Sequence, residues 1–450
     1  MISVDRPLCF VIMPFGTKPD ASGALIDFDA VYTDLILPAI REAELEPLRA
    51  DEEMTGGGMN APMFERLILS EFAIADVSTV NANVFYQLGI RHAARARGTI
   101  VLCAEGRRLP FDLSTLRAVP YQLDESGRPK RTSRTQARLA DLLMGDGAQM
   151  VDSPIFALLP GWNTPQLNPQ TMDSFRPRVR DSAKTKERLA QARRRGVASL
   201  NSLVADLGGI EDQDAGFVTD LFLSYRAVSG WQEMVTLYRK MPPGLQQAVV
   251  VREQLALALN RLGESVAAAE ILTKLIAERG PSSETYGILG RIYKDMWEKA
   301  SKRGDPETPA LLSRAIEAYL SGFETDWRDA YPGINAVTLM ELSEPPDPRR
   351  EQILPVVRYA VDRRVASGQP DYWDYATQIE LAVLARDEAS ARKALNAATV
   401  HARVPWEAET TARNLRLINE ARKRRNEVTP WMTDIQEALE SLSERTSLSA

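Results

Sequence analysis

The first third of the chain alternates short extended stretches with stretches of helical periodicity. Four stretches have the length of buried strands, at residues 8–13, 45–48, 73–77 and 99–103. Between them, apolar residues recur every three or four positions over 28–40, 62–72 and 83–94. Strands that alternate with helices through short links predict βαβ units, and therefore an α/β domain with a parallel sheet.

From about residue 197 the pattern is helical, and an internal repeat appears. The pair Leu-Ala at 255–256 recurs 34 residues later as Leu-Gly at 289–290, and a third copy stands at 381–382. A period of about 34 residues is that of the tetratricopeptide repeat (TPR), a pair of helices. Since one pair cannot bury its apolar face alone, the repeat predicts an all-α array of stacked TPR-like helices.

The two patterns divide the chain into three segments. We predict an α/β domain over residues 1–150 and a TPR-like helical domain over residues 181–450. The segment between them, 151–180, has little periodicity and contains five prolines, so we predict a linker or a docking strap there.

Composition narrows the classes of function. A net charge of −6 argues against a general nucleic-acid-binding surface. The basic stretch 184–195 is predicted to be a solvated helix face, with a partner or nucleic-acid contact as the alternative. Two distant histidines and two cysteines in apolar runs predict no metal and no cofactor. Without a membrane span of about 20 apolar residues or a signal-peptide pattern, a cytoplasmic protein without membrane contact is expected.

Polar residues cluster where the third predicted strand meets the next helix. Asp76 lies near the end of the strand, and Asn81 and Asn83 precede the helix, which either could cap. Gln87 follows Asn83 by four residues and therefore shares its helix face, near a helix end that suits phosphate. His92 is off this face and is predicted to be structural. A capped helix after a buried strand, without a ligand, is the simpler alternative.

Three sequence segments together resemble the nucleoside 2-deoxyribosyltransferase-like superfamily, distant relatives of TIR domains. They are CFVIMPFG at 9–16, FDAVY at 28–32 and the segment 76–89, and the resemblance extends over about residues 6–125. It implies a flavodoxin-like parallel sheet and cleavage of the C–N glycosidic bond between base and ribose. The implied ligand is a nucleotide or an NAD-like small molecule.

The same resemblance implies roles for individual residues. Asp76 and Asn81 match positions that hold the base and ribose, and Gln87 stands at the position of the catalytic glutamate. The implied substrate-binding residues are Phe15 and Gly16 against the sugar or phosphate, Arg49 and Asp51 as phosphate and ribose partners, and Ser78 and Asn83 as phosphate-binding residues.

Gln87 decides between two functions. An amide still donates hydrogen bonds to ribose hydroxyls, but it carries no charge and is a very poor nucleophile. The domain is then a ligand-sensing pseudoenzyme, or the glutamine is an engineered substitution, or Asp76 or Asp51 replaces the missing carboxylate. The leading hypothesis is a nucleotide- or NAD-directed N-glycosidase effector regulated by its TPR-like domain. The alternative is a catalytically silent nucleotide-binding sensor or scaffold.

The helical part has a resemblance of its own. The segments 289–295, 315–323 and 331–336 are similar to the TRAF-binding region of apoptosis signal-regulating kinases and of bacterial homologues, over about 180–440. Bacterial proteins that pair these two modules resemble components of conflict or stress signalling systems, such as antiphage defence. The pairing implies a protein partner, or self-association, through the TPR-like domain.

Overall fold

The computed structural model describes residues 6–20, 23–49, 61–107, 118–144, 151–159, 161–162, 185, 187–208, 210, 213, 215–366, 370–427 and 429–448. The chain divides into two compact units, which are residues 1–230 with 240–245, and residues 231–239 with 246–450. Among the described residues, the strands lie in the first unit, and the second unit is helical.

The first unit contains a mainly parallel sheet. Its strands are β1 Leu8–Ile12, β4 Glu46–Arg49, β5 Phe72–Asp76, β6 Thr99–Ala104, β7 Ala118–Leu123 and β8 Pro129–Lys130, in the spatial order β4-β1-β5-β6-β7-β8. The first five are parallel, and β8 runs antiparallel to β7. A separate antiparallel pair is β2 Thr17–Pro19 with β3 Leu25–Asp27. The parallel strands therefore follow the order 2-1-3-4-5, which confirms the predicted parallel sheet.

Helices cover both faces of this sheet. The helices of the first unit are α1 Phe28–Val31, a π-helical turn Tyr32–Ile36, α2 Leu37–Glu42, α3 Ala61–Leu69, α4 Ala82–Ala94, α5 Thr132–Met144, α6 Pro154–Leu158, α7 at 187–195, α8 Val197–Asp206 and α9 Ala215–Ala227. Residues of α1, α2 and α5 belong to the core on one face of the sheet, and residues of α3 and α4 to the core on the other. Along β1, Cys9 and Val11 face one apolar core, while Leu8, Phe10 and Ile12 face the other. Burial on both faces explains why β1 is continuously apolar.

Arg91 of α4 and Arg95, the residue that follows α4, fix the end of α3. Arg91 is fully buried and donates to the carbonyl oxygens of Leu67 at 2.8 Å and Ser70 at 2.7 Å. Arg95 donates to the carbonyl oxygens of Ile68 and Leu69. The last carbonyls of a helix have no partner inside it, so these guanidinium groups satisfy them. The predicted helix over 62–72 was wrong at this end, because α3 stops at Leu69 and β5 begins at Phe72.

The remaining helices are α10 Trp231–Lys240, α11 Pro243–Gln246, α12 Val249–Arg261, α13 Ser265–Arg279, α14 Ser283–Arg303, α15 Thr308–Thr325, α16 Ala330–Leu342, α17 Arg350–Ala366, α18 Tyr372–Leu384, α19 Glu388–His401, α20 Pro405–Arg424 and α21 Trp431–Leu448. From α12 to α19 each helix packs against the next one, and α20 packs against α21. The contact is most extensive within α14–α15, α18–α19 and α20–α21. A side chain at Gly290 would place its Cβ 2.6 Å from the Tyr319 ring, so the repeated small residue permits close approach.

Helix α16 forms the centre of this array. Its residues from Pro332 to Leu342 are all buried. Five helices pack against it, namely α14, α15, α17, α18 and α20. The array is therefore wrapped around one helix.

A buried ionic cluster joins the ends of α16, α17, α18 and α20. The Glu341 side chain, 1% exposed, accepts from Arg422 Nε and Arg425 Nη2 at 2.8 Å each, and it pairs with Arg350. Arg422 also donates to the carbonyl oxygens of Val383 and Leu384 at the C-terminal end of α18. Burial lowers the pKa of the Arg422 guanidinium to about 10. One carboxylate thus holds three arginines together.

Candidate functional site

The carboxyl edge of the parallel sheet brings three of the predicted residues together. Phe15 and Gly16 follow β1, and Arg49 ends β4, the neighbouring strand. Arg49 is 6% exposed, and its guanidinium carbon lies 4.7 Å from the Tyr32 ring centroid and 5.8 Å from that of Phe15. Its Nη2 donates to Asp29 Oδ1 at 2.5 Å. We call Phe15, Gly16, Asp29, Tyr32 and Arg49 the Arg49 cluster.

Backbone geometry positions this cluster. Gly16 has a φ of 60°, in the left-handed region that favours glycine, and its N–H donates to Asp29 Oδ1 at 3.3 Å. Tyr32 opens the π-helical turn, a widened turn frequent at functional sites. The Arg49 guanidinium holds the pKa of Asp29 below its ordinary value, so that carboxylate stays charged beside it. The Asp29 carboxylate therefore accepts from a backbone amide and a guanidinium, the donors that proteins use for anions.

Asp76 belongs to a separate, buried cluster. It is fully buried, with Oδ1 accepting from the Ser78 N–H at 2.9 Å and Oδ2 accepting from the Tyr121 hydroxyl at 2.8 Å. The Ser78 hydroxyl lies 3.0 Å from the Tyr121 hydroxyl and accepts from the Ala104 N–H at 2.8 Å. Burial raises the pKa of Asp76, although these hydrogen bonds oppose the rise. The Oδ2 atom thus connects β5 with β7, while Oδ1 fixes the turn that follows β5.

The start of α4 carries the other predicted residues. Asn81 is the cap, because its side-chain oxygen accepts from the backbone N–H groups of Asn83 and Val84 at 3.0 and 3.2 Å. Asn83 is exposed. Gln87 is 3% exposed, and its Nε2 contacts Met63 Sδ on α3 at 3.5 Å. In the described part of the chain, no hydrogen bond joins Gln87 to Asp76, Asn81 or the Arg49 cluster.

Three participating residues were not predicted as site residues. Asp29 and Tyr32 lie within the segment FDAVY, which carried the resemblance, so the sequence offered a signal for them. The sequence offered no signal for Tyr121, because its contact with Asp76 depends on the pairing of β6 with β7. Asp51 lies outside the described residues. Catalytic roles for Gln87, Asp76 and Asn81 stay predictions.

The segment after residue 150 lies against the C-terminal half of α4. The Ser153 hydroxyl donates to the carbonyl oxygen of His92 at 2.6 Å, and Trp162 Nε1 donates to that of Ala93 at 3.0 Å. Asp152 Oδ2 accepts from the Thr99 N–H at 2.8 Å. Burial lowers the pKa of His92 to about 4 and raises the pKa of Asp152 to about 6. Residues 163–180 of the predicted strap lie outside the described residues.

The shifts of His92 and Asp152 have opposite effects on stability. Because the pKa of His92 is lowered in the folded state, the stability of the fold decreases as the pH drops from 6.5 to about 4. Because the pKa of Asp152 is raised, that residue makes the stability increase as the pH drops from about 6 to 3.8. In Asp152→Asn only the histidine effect remains. We expect the loss of stability between pH 6.5 and 4.5 to grow by about 1–3 kcal/mol in urea unfolding. Asp141→Asn, an exposed change on α5, is the control, and an equal growth there would contradict this origin.

Within the ranges that the structure describes, no group of three His, Cys, Asp or Glu side chains could hold a metal ion. Burial raises the pKa of the Cys9 thiol to about 12 and that of Cys103 to about 11, so both stay protonated near neutral pH. None of the described helices is long and apolar enough to cross a bilayer.

The array of helix pairs, with its 34-residue repeat, corresponds to a known family. The family model of the MAP3K TRAFs-binding domain matches residues 84–437. The chain belongs to this family. The matched region begins within α4. Strands β1, β4 and β5 therefore lie before the part of the chain that the family model matches. The predicted similarity of the helical part to a TRAF-binding region is confirmed.

Three curated kinases are similar to this chain. Mitogen-activated protein kinase kinase kinase nsy-1 of Caenorhabditis elegans is 32% identical over 225 residues, 45% of this chain and 14% of the relative. Mouse mitogen-activated protein kinase kinase kinase 15 is 26% identical, over 52% of this chain and 18% of its own. Human mitogen-activated protein kinase kinase kinase 6 is 27% identical, and the match covers 58% of this chain and 22% of the relative. The chain thus spans less than a quarter of each relative's length.

One solved structure is also similar. It is a tetratricopeptide repeat protein from Parabacteroides merdae, with 14% identity and a TM-score of 0.34, and the match covers 60% of this chain and 99% of that one.

Proposed function

We propose that this protein is a catalytically silent sensor and scaffold. Its sheet domain holds a phosphate-bearing, nucleotide-like ligand, and its helical array binds a protein partner or another copy of the chain. The observation that carries the proposal is the state of the predicted catalytic positions. Residue 87 is a neutral amide buried against Met63, and Asp76 has both carboxylate oxygens hydrogen-bonded in the interior.

The strand order supports a ligand at the carboxyl edge. An order of 2-1-3-4-5 is that of flavodoxin-like folds, in which ligands bind where the order reverses, beside the first strand. In this chain the reversal falls between β1 and β5, next to the Phe15–Gly16 loop. We interpret the sheet domain as flavodoxin-like on this basis.

The Arg49 cluster supplies the chemistry for a phosphate. A guanidinium held against two aromatic rings is preorganised to bind phosphate oxygens. Asp29, 57% exposed at its side chain, accepts from Arg49 and from Gly16 N–H, as a phosphate oxygen could. A phosphate that replaces this carboxylate would retain both donors.

The N-glycosidase effector is the alternative, and the N-terminal resemblance favours it. Cleavage at the anomeric carbon requires a carboxylate as nucleophile or as stabiliser of positive charge. Asp76 reaches this role only by giving up Ser78 or Tyr121, and Gln87 cannot serve in it. A role in antiphage or stress signalling, with NAD as the ligand, belongs to this alternative.

Partner binding is supported by the family. The family is described as a MAP3K TRAFs-binding domain, and the relatives named above are mitogen-activated protein kinase kinase kinases. A scaffold that binds a small molecule through its sheet domain and a protein through its helical array is consistent with the family description and with the names of these relatives.

Two variants test the proposal. We expect wild type and Gln87→Glu both to leave NAD and a panel of nucleotides intact, with no free base detectable by chromatography. Calorimetry should show binding of a nucleoside monophosphate, which Arg49→Gln weakens at least about tenfold, since a charged hydrogen bond contributes about 1.5–3 kcal/mol.

The matched control is Arg41→Gln, an exposed arginine on α2 that lies outside the Arg49 cluster. It should bind as wild type does. Release of base by the wild-type chain would refute the silent-sensor proposal, and the absence of nucleotide binding would refute the sensor half of it. Release by Gln87→Glu alone would identify a pocket built for cleavage and remove the main support for the sensor.

A further inference from the structure

One face of α14 is lined with charged side chains. Arg291, Lys294, Asp295 and Glu298 recur at the three- and four-residue spacing that places side chains on a single helix face. Asp295 accepts from Asn260 of α12 at 2.7 Å, and Lys294 donates to Asn414 of α20 at 3.0 Å. Glu298 pairs with Arg413, also of α20. The face is therefore bordered by α12 on one side and α20 on the other.

Helix α16 closes a third side of this face. The Tyr331 ring of α16 lies 3.3 Å from the position that a Cβ at Gly287 would take, one turn before Arg291. Its ring centroid is 6.1 Å from that of Tyr319, with the rings nearly perpendicular. Tyr331 is still 47% exposed, so the residue keeps an accessible surface beside Arg291.

Two arginines at this place have no ionic partner. The side chains of Arg261, which ends α12 directly after Asn260, and of Arg291 form neither a hydrogen bond nor an ion pair with any residue that the structure describes. Arg261 is exposed, so only part of its side chain is desolvated. This partial desolvation, and then repulsion by Arg291, lower the pKa of its guanidinium, while Asp295 opposes that shift. Arg413 adds to the repulsion, although it pairs with Glu298. We call Arg261, Arg291, Arg413 and Tyr331 the Arg291 basin.

We propose that the Arg291 basin binds the phosphate monoester of a small organic molecule. A phosphate monoester is a dianion near neutral pH, so it can neutralise Arg261 and Arg291 together, whereas one carboxylate offers a single charge. The guanidinium fork matches phosphate oxygens in bidentate geometry. The charges come from three helices around one face of α14, which concentrates them at one place, as a compact anion requires. An extended acidic peptide would use charge spread along a groove.

The proposal makes two measurable claims about Arg291→Gln. Removing one of two repelling charges should leave the melting temperature of the ligand-free chain unchanged or raise it by up to about 1 °C. The same change should weaken binding of glycerol 3-phosphate at least about tenfold in calorimetry. An arginine with only a structural role would instead lower the melting temperature when replaced.

The experiment is done in the full chain carrying Arg49→Gln, so that the first phosphate site does not contribute. Glycerol 3-phosphate is titrated against sodium chloride of equal ionic strength, with a phosphoserine peptide as a second ligand. The control is Arg328→Gln, a 91% exposed arginine outside the basin, which should bind as its parent does. A response no larger than that to chloride, a peptide that binds more tightly than the small ester, or unchanged binding in Arg291→Gln would each overturn the proposal.

Discussion

Replacing Glu341 with glutamine should lower the free energy of unfolding by about 3–5 kcal/mol, because it leaves buried cations without their counter-charge. The amide has nearly the same shape, so the loss measures charge and not packing. Arg422 is 1% exposed and Arg425 14% exposed at the side chain, so water cannot replace the carboxylate. Urea unfolding followed by circular dichroism measures the change.

Glu344→Gln is the matched control for this prediction. Glu344 lies three residues further along, pairs with Arg424 at 2.7 Å and is 53% exposed at its side chain. Exposed ion pairs contribute about 0–1 kcal/mol, so this change should have little effect. Equal losses of unfolding free energy in the two variants would contradict the prediction that the Glu341 ion pairs contribute more to stability because they are buried.

Arg91→Met should destabilise the sheet domain by about 3–5 kcal/mol, because it leaves several buried carbonyl groups without a donor. Arg91 donates to the carbonyl oxygens of Leu67, Ser70 and Glu71, and its Nε donates to the Thr99 hydroxyl at 3.3 Å. Methionine has a similar length but cannot donate any of these hydrogen bonds. Thermal and urea unfolding both report the loss.

Arg97→Met separates this effect from a general loss of charge. Arg97 is exposed and lies only six residues further along the chain. It should stay within about 0.5 kcal/mol of wild type, as surface substitutions usually do. If Arg91→Met fell within the same range, the arginine would not be what holds the end of α3.

Local periodicity predicted much of the architecture. The alternation of strands and helices indicated the parallel sheet, and the 34-residue repeat indicated the helix pairs, since both patterns need only neighbours in sequence. The end of α3 was not predictable in this way, because Arg91 and Arg95 act from more than 20 residues away.

In the candidate site, too, the features that depend on local sequence were predictable and those that depend on tertiary packing were not. Asn81 as a cap follows from local sequence, and so does the place of Asp76 at the end of β5. The pairing of Arg49 with Asp29 depends on how β4 is aligned with β1, and the contact of Gln87 with Met63 depends on how α3 meets α4. A helix such as α4 buries more than one face, so spacing alone does not say which side chains meet the ligand.

The enclosure of α16 limits how this array can change in evolution. A linear solenoid can lengthen by duplicating a repeat, because each unit contacts only its neighbours. Here five helices share contact with one, so a duplicated pair inserted beside α16 would displace a helix that already covers it. Copies can be added without such displacement only at the ends of the array. The repeats of this chain therefore differ in their packing environments and cannot replace one another, although their sequences still show a common period.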